Sequence, residues 1–530
     1  MASIHQETER SYDGKPGQAL DPAGLPQVTD LRTAGAQTLE ALYYDTADLR
    51  LLAHGRTLRR RTGGDDAGWH LKVPAGAGAE GEHRTEYRLP PGPAGAGPPP
   101  ELLARTAALA RGGRLLPVMR LRTHRERELL LGADGRTLAE LTRDDVSAEL
   151  PEGAAPASGR QALPGPVAWS ETEVELAEGG PAELLDAVGA RLEDAGLARS
   201  AAASKVARAL AAHGRAPEHP APEHLAPGRP GHRSTGPGPA GPQPAPPAGS
   251  VGAALTAYLR EQVADLLTLD GLVRIDEPDS VHRMRVCARR LRSALTAHRS
   301  LLVGARTDPV AEELRLLGQV LGRARDAETT GERLVAQAQS LPLAARPEQT
   351  AAELRDWFGH RYAHAHRAAV HVMEGRRYFA LLDELEELAE RPPLRAKASR
   401  GGRRARRILL RERRRTGRRF ARALKLPPGP ERDAALHGAR KAAKRARYTA
   451  EVHRASAGRP AKRLGRRAKH VQQALGRRQD ARVTEQSLLE LVAEVRARGG
   501  DTFGYGVLHG LQRADDEADV AEAADAWAGG

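Results

Sequence analysis

The chain has 530 residues, with 82 Lys and Arg against 68 Asp and Glu and a formal net charge of +14, which is long for one ordinary domain. Hydrophobic residues make up 40% and aromatic residues 3%, so a core has to be built mainly from Ala, Leu and Val. A single cysteine, Cys287, excludes an intramolecular disulfide framework and a cysteine-based zinc site and fits a reducing compartment. No apolar run approaches the ~20 residues of a membrane-spanning helix, and the opening residues lack the basic and then apolar pattern of a secretory signal. A soluble, cytoplasmic protein without a membrane partner is expected.

The charge is unevenly placed. Residues 1–215 carry 26 basic and 30 acidic side chains, which leaves +18 for the remainder. The steepest excess lies within 400–480, with 28 basic against 5 acidic residues. The richness in Ala, Arg, Gly and Pro predicts a GC-rich bacterial genome, but that bias would not confine the Arg clusters to one half of the chain.

Residues 1–215 alternate polar and apolar positions in short runs broken by Gly and Pro, as in SIHQETERSY, TLRRR, GWHLKV, HRTEYRL, MRLRTHRERELLL, RTLAELTRDDV and AWSETEVEL. These runs predict β-strands, while 181–196 and 200–212 have helical spacing, so this region reads as α+β. The strand period of two puts Glu7 with Glu9, Arg59 with Arg61, His70 with Lys72, and Arg84 with Glu86 and Arg88. It likewise joins Arg120 with Arg122, Glu140 with Asp144, and Glu171 with Glu173 and Glu175. One charged face is commonly the solvated side of an antiparallel sheet. Seven in succession suit a closed barrel whose interior holds water and ions. Carboxylates there would bind a hard divalent cation such as Mg²⁺ or Mn²⁺, and Arg and Lys would grip phosphate oxygens.

The region resembles the CYTH domain, the triphosphate tunnel fold, in nearly all of 1–215. The resemblance rests on ETERSY, YYDTADLRLLAHGRTLRRR, GWHLKVP, RTE, AELTRDD, WSETEVEL and SKVARAL. It implies an eight-stranded antiparallel β-barrel that binds triphosphate compounds with a divalent metal and often hydrolyses them. It points to Glu7, Glu9, Glu140, Asp144, Glu173 and Glu175 as metal ligands. Arg59, Arg61, Lys72, Arg84, Arg122 and Lys205 would bind triphosphate. The Lys of the family's Glu-x-Glu-x-Lys signature falls on Ser11, which removes a cation aimed at phosphate. Arg10 should point to the other face, and Lys15 lies beyond Gly14.

Residues 216–250 hold 11 prolines and no periodic apolar pattern, which predicts an extended linker. From 251 to 527 the Leu, Ala and Arg runs have i, i+3, i+4, i+7 spacing and predict an all-α bundle. This bundle contains an internal repeat over about 278–345 and 433–500. VHRMRVCARRLRSAL matches LHGARKAAKRARYTAE, and LGRARD matches LGRRQD one residue out of step. On a helix, His282, Arg285, Arg289 and Arg292 form one cationic stripe, with Arg290 beside it. His437, Arg440, Lys444 and Arg447 form the second, with Lys441 and Arg445 alongside. Like charges stacked at these spacings need an anion or solvent to offset them. The region resembles the CHAD domain, an α-helical module of two related halves that binds inorganic polyphosphate, which would make these eleven residues its ligand contacts. Asp326 and Asp480 are expected to pair with cations.

Three readings follow: a metal-dependent triphosphatase localised by its polyphosphate-binding module, a phosphate-polymer binding protein without turnover, and a nucleic-acid binder. Only Phe420 and Tyr448 are aromatic within 400–480, and base stacking needs such rings, so nucleic acid is the weakest reading. Association with polyphosphate granules is an expectation of the same resemblance. His360, His364, His366 and His371 have helical spacing that suits a transition metal or a polar surface. The acidic stretch from Asp515 to Asp525 reads as a helix that neutralises basic neighbours.

Overall fold

The computed structural model describes residues 2–17, 20–78, 81–93, 95–151, 165–217, 246–512 and 516–528. The chain forms two compact units, Met1–Gly236 and Pro237–Gly530. Most of the predicted linker, 218–245, lies outside the described residues.

The first unit contains strands β1 (Ser3–Asp13), β2 (Val28–Asp45), β3 (Thr57–Thr62), β4 (Gly68–Gly78), β5 (Gly81–Leu89), β6 (Leu116–Gly132), β7 (Thr137–Glu149), β8 (Val167–Leu176) and the short β9 (Ala198–Arg199). Its helices are α1 (Arg50–Ala53), α2 (Pro100–Ala110), α3 (Glu183–Asp194) and α4 (Lys205–Ala212). The strand order is β5-β4-β3-β2-β6-β7-β8-β1-β9, and β1 also pairs with β5. That last pairing closes β1 to β8 into an antiparallel barrel and leaves β9 as an appendage. The β6–β7 hairpin turns at Gly135, whose φ of 75° is a left-handed conformation that Gly adopts without strain.

The alternation along each strand separates two environments. On the outer face, Tyr12, Leu130, Leu141 and Val174 pack with Leu184, Leu185, Val188 and Leu192 of α3. On the inner face, Ala41, Tyr43, Met119, Leu121, Val146 and Ala148 pack with Val206, Ala209 and Leu210 of α4, so α4 plugs one end of the lumen. Past this plug the same inner face turns from apolar to charged. Sequence reading missed α2. Its signals are Pro100 in the first turn with Glu101 beside it, and buried Leu102, Thr106 and Leu109 at helical spacing.

The second unit is helical: α5 (Val251–Arg274), α6 (Ser280–Ala297), α7 (Gly304–Ala338), α8 (Pro347–Met373), α9 (Arg376–Glu390), α10 (Gly402–Leu424), α11 (Pro430–Val452), α12 (Arg454–Ala457), α13 (Arg459–Ala497), α14 (Phe503–Leu511) and α15 (Asp516–Ala528). The repeat appears as α5-α6-α7 against α10-α11-α13. Small residues carry much of the packing of the second half: Ala405, Ala446, Ala450, Ala461 and Ala468 are buried together with Ile408, Leu409 and Leu464. Ala at these positions lets the helices approach closely, which is how a chain poor in aromatics builds a dense core. The acidic stretch is helical, as expected, and Val520, Ala523 and Trp527 of α15 pack beside Phe420, Val471 and Leu475.

Candidate functional site

In the barrel, strand register gathers charged residues into the lumen. Glu9 lies opposite Glu175 and Ser11 opposite Glu173, while Asp144 lies opposite Glu171 and Glu140 opposite Glu175. Like charges directly opposite one another repel, and the pairing is sustained by cations delivered from other elements. Ser204 caps α4, accepting from the Ala207 amide at 3.2 Å, and this places Lys205 at the helix start, facing the carboxylates. Lys205 Nζ lies 3.2 Å from Asp144 and 2.5 Å from Glu173, and also contacts Glu171. Arg125 donates to Asp144 at 2.8 and 2.6 Å and to Glu173 at 3.0 Å.

Asp144, Glu171 and Glu173 each offer a carboxylate oxygen, all within 4.8 Å of one another. Such a set of oxygen donors fits a hard divalent cation, and the Lys205 ammonium lies against the same three carboxylates. Burial pushes the Glu173 carboxyl up, but Lys205 and Arg125 outweigh it and hold the group well below the usual range. Burial likewise disfavours the Lys205 ammonium, and Glu173, Glu171 and Asp144 more than offset it, raising its pKa. Burial, against the pull of Lys72, pushes the Glu175 carboxyl up to about 7.

A second group stands on the other side of the lumen. Lys72 Nζ is 2.7 Å from Glu7 and 3.6 Å from Glu9, Arg84 is 3.9 Å from Glu9, and Arg88 is 3.4 Å from Glu7. Glu86, fully buried, accepts from His70 Nδ1 at 2.9 Å and faces Arg59 at 3.7 Å. The Nε groups of Arg59 and Arg61 are buried without an acceptor. Burial, followed by repulsion from Arg59 and Arg125, pushes the Arg61 guanidinium down to about 9. Each guanidinium has a carboxylate partner, Glu86 for Arg59 and Asp66 for Arg61, so what each leaves open is a buried Nε–H that an entering anion could accept from.

Eleven of the twelve residues singled out as metal or triphosphate ligands therefore lie on lumen faces. Arg122 does not. It pairs with Glu40 of β2 at 3.6 Å and its side chain is 60% exposed, on the face of β6 opposite Arg125 and Arg127. Period-two reading joined Arg122 to Arg120 correctly but chose the wrong face of the strand, because the inner face begins apolar with Met119 and Leu121 under the plug. Glu140 is held by Arg127 at 2.7 and 2.9 Å. Sequence reading left out the lumen residues Arg125 and Arg127, for which a switch from apolar to basic at 119, 121, 125 and 127 was the available signal, and it put Glu171 on the face of Glu173 and Glu175 without counting it among the metal ligands. At the signature position, Ser11 donates to Glu173 at 3.3 Å. Arg10 pairs outside with Asp186 at 2.6 Å and Lys15 with Asp145 at 2.7 Å, so neither replaces a lumen cation.

In the helical unit the two stripes converge where α6 meets α11. Arg289 and Arg447 lie over the Tyr448 ring at 5.7 and 5.6 Å, and Arg289 also donates to the Tyr448 hydroxyl at 2.8 Å. The repeated glycine of LGRARD and LGRRQD has a spatial reason: a Cβ on Gly322 would meet Arg285 Nε at 3.3 Å, and one on Gly476 would meet Arg440 Nη2 at 3.4 Å. Both glycines let a stripe arginine lie flat on the neighbouring helix. His282 and His437 are half-buried, Lys444 is half-buried, and Arg292 and Lys441 are exposed. Burial, then Arg325, Arg289 and Arg285, hold the His282 imidazole below its ordinary value. Two stripe-side residues turn to carboxylates: Arg290 lies 3.4 Å from Glu451, and Arg445 lies 3.0 Å from the buried Glu412.

At the junction of the halves, His298 Nε2 and His453 Nε2 are 2.9 Å apart with both rings buried. Arg285 pairs with Asp326 at 3.6 Å, and Asp326 is half exposed rather than buried. The Asp480 side chain lies outside the described residues. Of the clustered histidines, His366 is buried and bonded to the Val273 carbonyl at 2.7 Å, while His360 and His371 are largely exposed. Among the described residues, only Asp144, Glu171 and Glu173 form a carboxylate or histidine group close enough for a metal.

The CYTH domain profile matches residues 9–210 and the CHAD domain profile matches residues 257–489. An uncharacterized protein of Mycobacterium tuberculosis is 37% identical over 527 residues, covering 98% of this chain and 94% of that protein. Human thiamine-triphosphatase is 47% identical over 88 residues, 17% of this chain and 35% of that enzyme. The solved CHAD domain of the plant Ricinus communis is similar with a TM-score of 0.41 at 22% identity, over 52% of this chain and 91% of that one. The chain belongs to the family of proteins that carry an N-terminal CYTH domain followed by a C-terminal CHAD domain.

Proposed function

We propose that the barrel binds inorganic triphosphate or a related triphosphate compound with Mg²⁺ or Mn²⁺ and hydrolyses it, and that the helical unit binds inorganic polyphosphate. The observation that carries this reading is the division of the lumen into a carboxylate group at Asp144, Glu171 and Glu173 and the buried guanidinium groups of Arg59 and Arg61, whose Nε donors have no acceptor. A polyanion with a divalent counter-ion meets both demands. Human thiamine-triphosphatase, matched over part of the barrel, supports the triphosphate class.

The chemistry assigned to this chain's residues is electrostatic. Asp144, Glu171 and Glu173 would hold the divalent ion, which when bound polarises a phosphoryl oxygen or lowers the pKa of a bound water. Arg59, Arg61, Lys72, Arg84 and Arg125 orient the phosphates and stabilise charge that grows on the transferred group and its leaving oxygen. Lys205, which lies against the same three carboxylates, would add its ammonium to this set. Glu175, whose carboxyl burial pushes up to about 7, would take a proton from water.

Ser11 favours a second reading, binding without turnover, because a hydroxyl replaces an ammonium at the signature position. Phosphate release from tripolyphosphate and thiamine triphosphate with Mg²⁺ or Mn²⁺, measured on the wild type, Glu7→Ala and Ser11→Lys, separates the two. Turnover lost in Glu7→Ala and raised in Ser11→Lys is expected; no release from either substrate across neutral to alkaline pH leaves the binding reading. Polyphosphate binding would place the protein at polyphosphate granules in the cytoplasm. No helix among the described residues is long and apolar enough to cross a membrane.

A further inference from the structure

The repeat supplies an internal control for which charges the helical fold itself requires. Both halves carry the stripe on their central helices, α6 and α11. The first half of α13 differs from its counterpart. Counting back from the matched pair Gly322 and Gly476, Lys462, Arg466 and Arg467 fall on Asp308, Glu312 and Glu313 of α7. The three α7 carboxylates are neutralised, with Arg299 2.5 Å from Asp308, Arg315 2.6 Å from Glu312, and Arg377 2.7 Å from Glu313. Their α13 replacements have no such relief. Lys462, Arg463, Arg466 and Lys469 are exposed and Arg467 is half-buried. Among the described residues none of them has a carboxylate partner. Arg413 of α10 adds to the crowding: burial, and then Arg413 and Arg463, hold the Arg467 guanidinium below its ordinary value.

The cations also have a direction. Lys462, Arg466 and Lys469 share one face of α13, and continuing along that face leads to Gly476, on which Arg440 lies. Arg447 reaches α13 between them, donating to Gln472 at 3.4 Å. The row therefore begins at the α11 stripe and runs about 20 Å away from it at 1.5 Å per residue. A fold that accepts carboxylates at the same turns has no structural need for this row. No Phe, Tyr or Trp occurs between Arg459 and Gln473, where His470 is the one aromatic ring, so the surface offers mainly phosphate contact rather than base stacking. Nearby, the chain's own acidic helix already meets α13, through the pair of Glu522 with Arg477, with Trp527 seated against Gly417 of α10.

We infer that the α13 row, flanked by Arg413, is a lane that extends the polyphosphate site asymmetrically and selects long chains over short ones. The inference rests on the proposed polyphosphate binding and adds to it a second contact region and a length preference. A short chain is satisfied at the α6 and α11 stripes. A longer chain continues along α13 and releases further counter-ions, so its affinity rises with length and its salt dependence steepens.

The test uses the full chain with EDTA, which withholds metal from the barrel, and compares short-chain with long-chain inorganic polyphosphate across salt concentrations. The triple variant Lys462→Asp, Arg466→Glu, Arg467→Glu gives α13 the charges that α7 carries. Its long-chain affinity is expected to fall about tenfold or more and its slope of log K against log salt to flatten by about 2, with short-chain affinity and thermal unfolding unchanged. Arg289→Gln with Arg447→Gln should weaken both lengths. If the triple variant keeps long-chain affinity and slope while the stripe variant loses binding, the lane is refuted and the polyphosphate reading stands. Wild type that binds neither length refutes both. Duplex DNA that displaces long-chain polyphosphate at equal phosphate concentration, and does so through the lane residues, overturns the choice of ligand.

Discussion

Lys205 shows how one side chain can decide the state of a site. Its ammonium sits among Asp144 and Glu171, both nearly inaccessible to solvent, and the partly buried Glu173. Replacing it with Met would leave buried carboxylates facing one another with Arg125 as their remaining close cation, a loss on the order of 3 kcal/mol at neutral pH. The sign with pH follows from the cause. Without Lys205 the carboxyl pKa values rise, so Lys205→Met should be most destabilised above about pH 6 and should approach wild type on acidification. A divalent ion should restore what the ammonium supplied. The measurement is thermal unfolding with and without Mn²⁺, with a larger gain in the variant than in the wild type; equal gains would show that the ion does not share the Lys205 position. Lys205 was legible in the sequence through the resemblance at SKVARAL. Its contact with Glu171 was not, since the two residues meet only through a helix that plugs a closed barrel.

Among the elements, the glycine of LGRARD and LGRRQD illustrates a repeat whose purpose is steric. A helix-interior Gly costs roughly 1 kcal/mol relative to Ala, and here the cost accompanies a guanidinium lying where a methyl group would stand. Gly322→Ala combined with Gly476→Ala should therefore change two properties in opposite directions: the helices gain intrinsic stability, while Arg285 and Arg440 are pushed from their places and polyphosphate affinity falls severalfold. Chemical denaturation read beside binding checks this, and tighter binding in the more stable variant would contradict it. Periodicity was enough to predict the all-α bundle and the two stripe-bearing helices, and the repeated motif marked both glycines. The strand runs were equally readable, but β6 shows the limit. Alternation shows which residues share a face; whether that face looks inward depends on α4, which buries Met119 and Leu121 and so commits Arg125 and Arg127 to the lumen.

For the helical unit as a whole, the contact of His298 with His453 joins the two halves at equivalent positions. His298 Nδ1 lies 2.8 Å from the Ala294 carbonyl, which requires a proton on Nδ1 and makes its Nε2 an acceptor. His453 then donates from Nε2, and its Nδ1 accepts from Ser456 at 3.4 Å. A second proton on the His298 ring would set two N–H groups against each other. Burial, with repulsion from the partner ring, holds His298 down to about 3, and burial holds His453 down to about 4, from an ordinary value of 6.5. Folded values below the unfolded one mean that the unfolded chain takes up protons first as pH falls. Stability is complete above about pH 6.5 and declines by several kcal/mol toward pH 4. Urea unfolding at pH 7 and pH 5 should show the decline, and replacing both residues with Leu should flatten it; an unchanged pH profile in the double variant would place its origin elsewhere.

The amino-acid sequence by itself determined the two-unit organisation, the strand and helix classes, the acidic and basic faces and the internal repeat, because each depends on local periodicity or composition. It also located the departure at Ser11. Only the tertiary structure decided which face of β6 lines the lumen, that Glu171 rather than Glu140 joins Asp144 and Glu173, and that His298 meets His453. Those outcomes depend on barrel closure, on the α4 plug and on the approach of α6 to α11, which bring together residues far apart in the chain. The net charge follows the same division: its sum was readable from composition, but which cations are relieved by carboxylates and which remain available to a polyanion is a property of the packed helices.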